Sequence, residues 1–384
     1  MQDHSDANRL FPAPEPLLSI LFCYSALVPV KSLSFPSNIP FNVTHEFFLR
    51  EILLNHHLEQ YPPSESYQQS FWKWAIIQLE SFTRSIEDAE VDERIYAHYL
   101  SLRTGACSGT PPNSFITYHW KFPETHRYPT DGHSYETITL LESRTTIEAG
   151  TTGLRTWRAS LVLAQYLVQH PYLVNASNVL ELGSGTGFIG ILVASLQLQA
   201  ATSTVDRKMP SVYLTDVNST VLVRCRNNVR LPCNKSSPHP NIQYKSLDWL
   251  DSLPGQENLE SFFSEAKVDI VLGADIADMF QQVFDPVLVP PLVKTIFLAL
   301  LSEPTQVAFI ALTVRNEETL QYFLDEIGKV LKTEEVTHNI AGSLLLQFPD
   351  QVDAELEVKI FKVTRGRDTP PTNCEELRSI LRSI

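Results

Sequence analysis

The sequence predicts an α/β protein: a mainly parallel sheet covered by helices in the C-terminal part of the chain, behind a mainly helical N-terminal region. Three observations carry this expectation. From about residue 150, short apolar runs alternate with amphipathic segments, the pattern of repeated βα units. A glycine-rich loop, Gly183-Ser184-Gly185-Thr186-Gly187, runs off one apolar run into a helical one. Before residue 150, aromatic and aliphatic residues recur at helical spacing instead. At 384 residues the chain exceeds what one hydrophobic core usually serves, so one large or two unequal domains are expected, and the change of pattern divides the chain into residues 1–145 and 146–384.

In the N-terminal region, Thr44 to Tyr61 carries Phe47, Phe48, Ile52, Leu53 and Leu54. Ser70 to Phe82 carries Trp72, Ile76 and Leu79, and Arg94 to Leu102 carries Ile95, Tyr99 and Leu100. Such stripes are read as packing faces of helices. Gly105 to Thr130 is rich in Gly, Pro, Ser and Thr, includes Pro111-Pro112, and reads as a linker. Further on, Leu154 to Val168 is expected to be a helix, Asn178 to Leu182 a strand and Phe188 to Leu198 a helix. Val212 to Thr215 then forms a strand, Ser219 to Arg230 a helix and Ile242 to Tyr244 a third strand. Val268 to Ala274 (strand), Val289 to Leu301 (helix), Val307 to Val314 (strand) and Glu317 to Leu331 (helix) continue the alternation. Ile340 to Phe348 and Leu356 to Val363 are expected to pair as a terminal antiparallel hairpin at the sheet edge.

Composition narrows the function. Hydrophobic residues at 43% and charged residues at 19% are the balance of a globular chain. The net charge of -14 argues against a grip on phosphate backbones, so no nucleic-acid partner is expected. It suits a basic protein partner, and it equally serves solubility alone. Five scattered cysteines, never spaced C-x-x-C, imply neither a disulfide framework nor a metal site. The apolar stretch Leu17 to Val30 is too short for a membrane span and contains Pro29, while Met1 to Asn8 has two Asp and no Lys or Arg. A cytoplasmic monomer is the expectation.

The loop after Val179-Leu180-Glu181-Leu182 must turn sharply and present its amides to a ligand, which glycine permits. A tight turn without a ligand would use the same residues. The next strand ends in Asp216, where a carboxylate can accept both hydroxyls of a ribose; the other use of such an aspartate is to cap the following helix. Its distance from the loop exceeds that of a dinucleotide fold, which an insertion between Gln199 and Ser211 explains. A dinucleotide fingerprint also needs a glycine where this chain has Phe188, so the expected cofactor is S-adenosylmethionine, which has no pyrophosphate. Glu181 would orient its ammonium group, through water. Leu247-Asp248-Trp249 follows the third strand; Asp248 suits the adenine amine and Trp249 the adenine face, unless the indole is simply core. Gly273-Ala274-Asp275 ends the fourth strand, with room for a cofactor at Ala274 and a carboxylate at the crevice, unless Asp275 caps the next element. Trp157, before the glycine strand, is a further candidate for the cofactor wall.

Taken together, Gly150-Thr151-Thr152-Gly153-Leu154-Arg155-Thr156-Trp157-Arg158-Ala159-Ser160-Leu161, the E-L-G-S-G-T-G loop, Leu247-Asp248-Trp249, Gly273-Ala274-Asp275 and Thr313-Val314-Arg315-Asn316 resemble the seven-β-strand protein methyltransferases of family 16. Within that group the set is most similar to the elongation factor 2 lysine methyltransferases of fungi and animals, over roughly residues 145 to 365. The resemblance implies a Rossmann-like seven-stranded class I methyltransferase sheet. It implies cofactor contacts at Trp157, Gly183, Ser184, Gly185, Asp216, Trp249 and Ala274, to which the loop residues Thr186 and Gly187 are added. It also implies a protein substrate, elongation factor 2, with a D-x-x-Y-like motif beside the target lysine. Members of the group run A-D-V-V-Y-D-P there. This chain reads Ala274-Asp275-Ile276, then Ala277 to Gln282, then Val283-Phe284-Asp285-Pro286, so the register that fits treats Ala277 to Gln282 as an insertion and sets Phe284 at the tyrosine position. Asp275, Phe284 and Asp285 are the expected catalytic set, Asp275 orienting the amine and Phe284 forming an apolar wall. A small-molecule methyltransferase and a cofactor-binding interaction module, with Asp275 displaced by the insertion, are the alternatives.

Overall fold

The computed structural model describes residues 13–84, 86, 89–104, 113–122, 135–148, 150–201, 208–252, 259–276, 286–339 and 356–366. These fall into two compact units that meet in sequence between Thr146 and Ile147.

The first unit holds five helices, α1 (Glu15–Ser25), α2 (Phe41–Phe47), α3 (His56–Gln60), α4 (Glu65–Thr83) and α5 (Glu93–Thr104). Trp72, Ile76 and Leu79 of α4 are buried, as their spacing predicts, and Phe71 and Ala75 are buried beside them. The helix expected over residues 44–61 is not continuous. Its middle, Phe48–Leu53, winds as a π-helix, and the chain restarts at α3 with Asn55 as cap, its side chain accepting from His57 and Leu58 N–H. The wider turn shifts the face, which leaves Leu54 half exposed. Leu100, expected on the packing face of α5, is likewise exposed, while Ile95 is buried.

The first unit is also less helical than expected. Strands β1 (Asn113–Trp120) and β2 (Glu136–Ser143) form an antiparallel hairpin, with Asn113 opposite Ser143 and Trp120 opposite Glu136. Residues 113–120 lie inside the stretch read as linker. Gly and Pro around them masked a run of Phe, Ile, Thr, Tyr and Trp, residue types that favour a pleated, half-buried strand.

The second unit is built on a seven-stranded sheet: β3 (Val179–Leu182), β4 (Val212–Asp216), β5 (Ile242–Ser246), β6 (Ile270–Ala274), β7 (Val307–Thr313), β8 (Lys332–Glu335) and β9 (Val358–Thr364). Their order is β5-β4-β3-β6-β7-β9-β8. The first five are mutually parallel, and β9 runs antiparallel to both β7 and β8. The edge beyond β7 therefore differs from the expected terminal hairpin. β9 lies inside the sheet and the charged, exposed β8 forms the edge, whereas residues 340–348 lie outside the described residues. Val358, Ile360, Phe361 and Val363 make β9 too apolar for an edge, and charges on β8 discourage further pairing.

Helices α6 (Arg158–Gln169), α7 (Phe188–Ala201), α8 (Ser219–Val229), α9 (Leu259–Ala266), α10 (Val289–Leu301) and α11 (Glu317–Gly328) cover the sheet. Leu180, Val271 and Ile310 belong to one core with Phe263, Val293 and Phe323 of α9, α10 and α11. Phe309 instead meets Tyr166 of α6, with ring centres 5.4 Å apart. Burial on both faces explains why these strands read as continuous apolar runs rather than alternating ones. Helix α6 begins four residues later than expected, because Trp157 has extended backbone and stands outside the helix as its N-cap residue.

Candidate cofactor and methyl-transfer site

Strand order reverses at β3, which has β4 on one side and β6 on the other. In an open α/β sheet, ligands bind at such a point, outside the carboxyl ends of the strands. The glycine loop leaves β3 there, and Asp216, Trp249 and Ala274 follow or end the neighbouring strands.

Gly183, Gly185 and Gly187 all have positive φ, at 63°, 52° and 91°. A Cβ on Gly187 would lie 2.9 Å from Cys225 Sγ of α8, and one on Gly185 would lie 3.2 Å from the Gly153 carbonyl oxygen. The segment 150–157 thus packs directly on the loop, and a hydroxyl pair, Thr156 to Thr186 at 2.8 Å, ties the two together. Ser184 N–H donates to the Thr215 carbonyl at 2.7 Å, and the Ser184 hydroxyl accepts from Thr215 N–H at 2.9 Å. The side chains of Ser184 and Thr186 therefore anchor the loop to β4 and to the segment before α6.

Glu181 is buried beneath the loop, and its Oε2 has no hydrogen-bond partner among the described residues. Burial pushes its carboxyl up to about 8, the Ser184 hydroxyl and Gly190 N–H oppose the rise, and Asp216 adds to it. An unpaired carboxyl oxygen in such a place fits a cation or a donor, and the ammonium of S-adenosylmethionine is one. Asp216 is also raised by burial, against donation from the N–H groups of Asn218, Gly185 and Val217. Asp216 does not cap α8. Asn218 does, its side chain accepting from Thr220 N–H at 2.9 Å and Val221 N–H at 3.3 Å. The capping alternative for Asp216 is thereby removed.

Trp249 opens a short 3-10 turn after β5 and joins the core with Leu182, Leu247 and Ile276, 9% exposed. Its ring edge comes within 3.9 Å of where a Gly183 Cβ would stand, so the indole lines the loop as well as the core. The Asp248 carboxylate accepts from Leu250 N–H at 3.0 Å, which fixes the turn.

Asp275 follows β6 with a left-handed backbone, φ 52°, a conformation aspartate tolerates better than most residues. The turn brings Ile276 over the loop, 3.0 Å from the Cβ position of Gly183. The Asp275 carboxylate is turned onto the end of β7. Its Oδ1 accepts from Thr313 N–H at 2.7 Å, its Oδ2 accepts from the Thr313 hydroxyl at 2.9 Å, and Arg315 Nη2 lies 3.5 Å from Oδ2. The sequence signal for Thr313 and Arg315 is two polar residues closing an apolar strand. Trp157 donates its indole N–H to the Thr152 carbonyl at 3.1 Å, with Arg155 and Arg315 near its ring. Phe284 and Asp285, with the insertion Ala277 to Gln282, lie outside the described residues. Among the described residues, no three His, Cys, Asp or Glu are grouped to hold a metal ion, and no helix is long and apolar enough to cross a membrane.

The sheet order with its antiparallel β9 and the glycine loop at the switch point define a class I S-adenosylmethionine-dependent methyltransferase fold. Residues 137–329, half of the chain, match the family model described as lysine methyltransferase. Protein-lysine N-methyltransferase EFM3 of Chaetomium thermophilum is 37% identical over 193 residues, covering 50% of this chain and 52% of that protein. Protein-lysine N-methyltransferase EEF2KMT of Homo sapiens is 30% identical over 203 residues, 50% of this chain and 54% of that protein. EFM3 of Saccharomyces cerevisiae is 25% identical over 301 residues, 73% and 77% of the two chains. The chain spans about half the length of the first two of these relatives. It belongs to the lysine methyltransferase family.

Proposed function

We propose that the chain is an S-adenosylmethionine-dependent protein-lysine N-methyltransferase whose substrate is elongation factor 2. The buried, half-unpaired Glu181 carboxyl under a loop of three left-handed glycines is the observation that carries the cofactor reading. Family membership and the two EFM3 relatives support lysine as the acceptor, and the name of EEF2KMT supports the substrate.

On this reading Glu181 holds the ammonium end of the cofactor, the amides of residues 183–187 face its amino-acid part, and Asp216 takes the ribose hydroxyls. Asp248 and Trp249 receive adenine, and Trp157 and Ala274 complete the wall. The bound cofactor supplies an electrophilic methyl group on a sulfonium. What the chain adds is alignment of the amine for in-line displacement and exclusion of water. A lysine with a pKa of about 10.4 must lose its proton first, which an apolar surrounding favours. Asp275, held by Thr313 and Arg315, is a fixed anion at the end of β6 that orients the incoming amine. Phe284 and Asp285 are the further catalytic candidates that the family register supplies.

The test is incubation with radiolabelled S-adenosylmethionine and purified elongation factor 2. Label on a lysine of that protein is expected, and Gly185→Arg should abolish it, since any side chain there meets the Gly153 carbonyl. Cofactor binding without transfer to protein would leave only an interaction module. Transfer to a small molecule alone would replace the protein substrate.

A further inference from the structure

Two walls of the site meet on Arg315. Its Nη2 lies 3.5 Å from Asp275 Oδ2, and its guanidinium carbon lies 5.3 Å from the centre of the Trp157 ring. Both side chains of the ion pair are sheltered, Arg315 18% and Asp275 5% exposed. The partners come from separate elements: Trp157 immediately precedes α6, Asp275 follows β6, and Arg315 stands two residues beyond Thr313, the end of β7. Each partner is also fixed from another side, Asp275 by the two bonds from Thr313 and Trp157 by its N–H on the Thr152 carbonyl. A guanidinium can serve both at once, donating N–H groups in its plane to a carboxylate while its face meets an aromatic ring. Lysine can match the charge but not the planar stack.

We propose that Arg315 is the positioning residue that couples the cofactor wall to the acceptor side, setting the Trp157 indole through its face and the Asp275 carboxylate through its N–H groups. The proposal rests on the cofactor reading above. The left-handed backbone at Asp275 is consistent with it, since a strained conformation persists where surrounding bonds over-determine it. Arg155, 5.8 Å from the same ring, is a second cation at Trp157.

The experiment is calorimetric titration with S-adenosylhomocysteine of the wild type, Arg315→Met, Arg315→Lys, Trp157→Phe and the double variant Trp157→Phe/Arg315→Met. Arg315→Met should weaken binding by about tenfold, the scale of one sheltered cation–π contact. Arg315→Lys should weaken it by about threefold, because the charge stays and the stack is lost. In the Trp157→Phe background the same Arg315→Met change should cost at most about threefold, since the two residues act together. A merely structural arginine would lower the melting temperature yet cost the same factor in both backgrounds, and that result overturns the proposal. So does wild-type affinity in Arg315→Met. If Arg315→Met does not fold, Arg315→Lys decides: wild-type affinity there overturns the role. A wild type that takes up no S-adenosylhomocysteine fails at the cofactor reading itself, before any variant is compared, and removes the proposal with it.

Discussion

Glu181 has a titration behaviour that its neighbours dictate and that a ligand would reverse. With its folded pKa raised to about 8, above the ordinary carboxyl value of 4.5, the folded protein holds a proton that the unfolded chain releases. The contribution to stability is thus fully present below about 4.5 and lost as pH rises through about 8, at up to ~1.4 kcal/mol per pH unit. Glu181→Gln removes the titration. Melting curves from pH 5 to 8 should show the wild type losing stability relative to Glu181→Gln, and parallel curves would contradict the burial argument. An ammonium beside Glu181 favours the charged form, so S-adenosylhomocysteine affinity should climb with pH in the wild type and stay flat in Glu181→Gln. The same scale shows what the chemistry of one residue conveys. Glu181 and Asp216 were legible from their places at strand ends. The engagement of Asp275 by Thr313 and Arg315 was not, because 38 residues separate Asp275 from Thr313 and only strand pairing brings them together.

At the level of elements, α8 and its cap hold Asp216, the proposed ribose acceptor, in place. Asn218 caps the helix through its side chain, while its backbone N–H donates to Asp216 at 2.9 Å. The two roles separate on mutation. Asn218→Ala should cost about 1 kcal/mol of stability by removing the cap, and leave S-adenosylhomocysteine affinity within about twofold, because the bond to Asp216 is made by the main chain. Chemical denaturation and calorimetry on the same sample check both halves; a large affinity loss would show that the side chain, not the backbone, orients Asp216. Elements with strong periodicity or a glycine turn were readable in advance: β3, α7, β4, α8 and α10 fall within a few residues of expectation. β8 was not. Its Lys-Thr-Glu-Glu has no apolar signal, and it is a strand only because β9 offers it a partner.

For the molecule as a whole, the first unit carries its own pH sensitivity. His57 bonds to the hydroxyls of Thr117 and Thr139, both at 3.1 Å, and His119 packs at a tilt of 35° against Phe22 with ring centres 4.3 Å apart. Burial lowers both, His57 to about 4 and His119 to about 3, with each further lowered by a neighbouring histidine. Both are therefore neutral in the fold. Their contribution to stability is present above the ordinary value of 6.5 and lost as pH falls through about 4. His57→Gln keeps a hydrogen-bonding side chain without the proton, so its melting temperature should fall less steeply between pH 6.5 and 4 than that of the wild type. An unchanged slope would remove His57 as a source of acid sensitivity.

The sequence by itself determined the α/β class, the parallel core strands, the glycine loop and the carboxylates beside it. These depend on local periodicity and on residues within one βα unit. Tertiary structure decided the rest: the hairpin hidden among Gly and Pro, the placing of β9 between β7 and β8, the release of Asp216 from capping, and the meeting of Trp157, Asp275 and Arg315. Each of these is a contact between segments far apart in the chain. Such contacts are selected by which partners can bury their apolar faces and satisfy their polar groups together, and no local pattern records that choice.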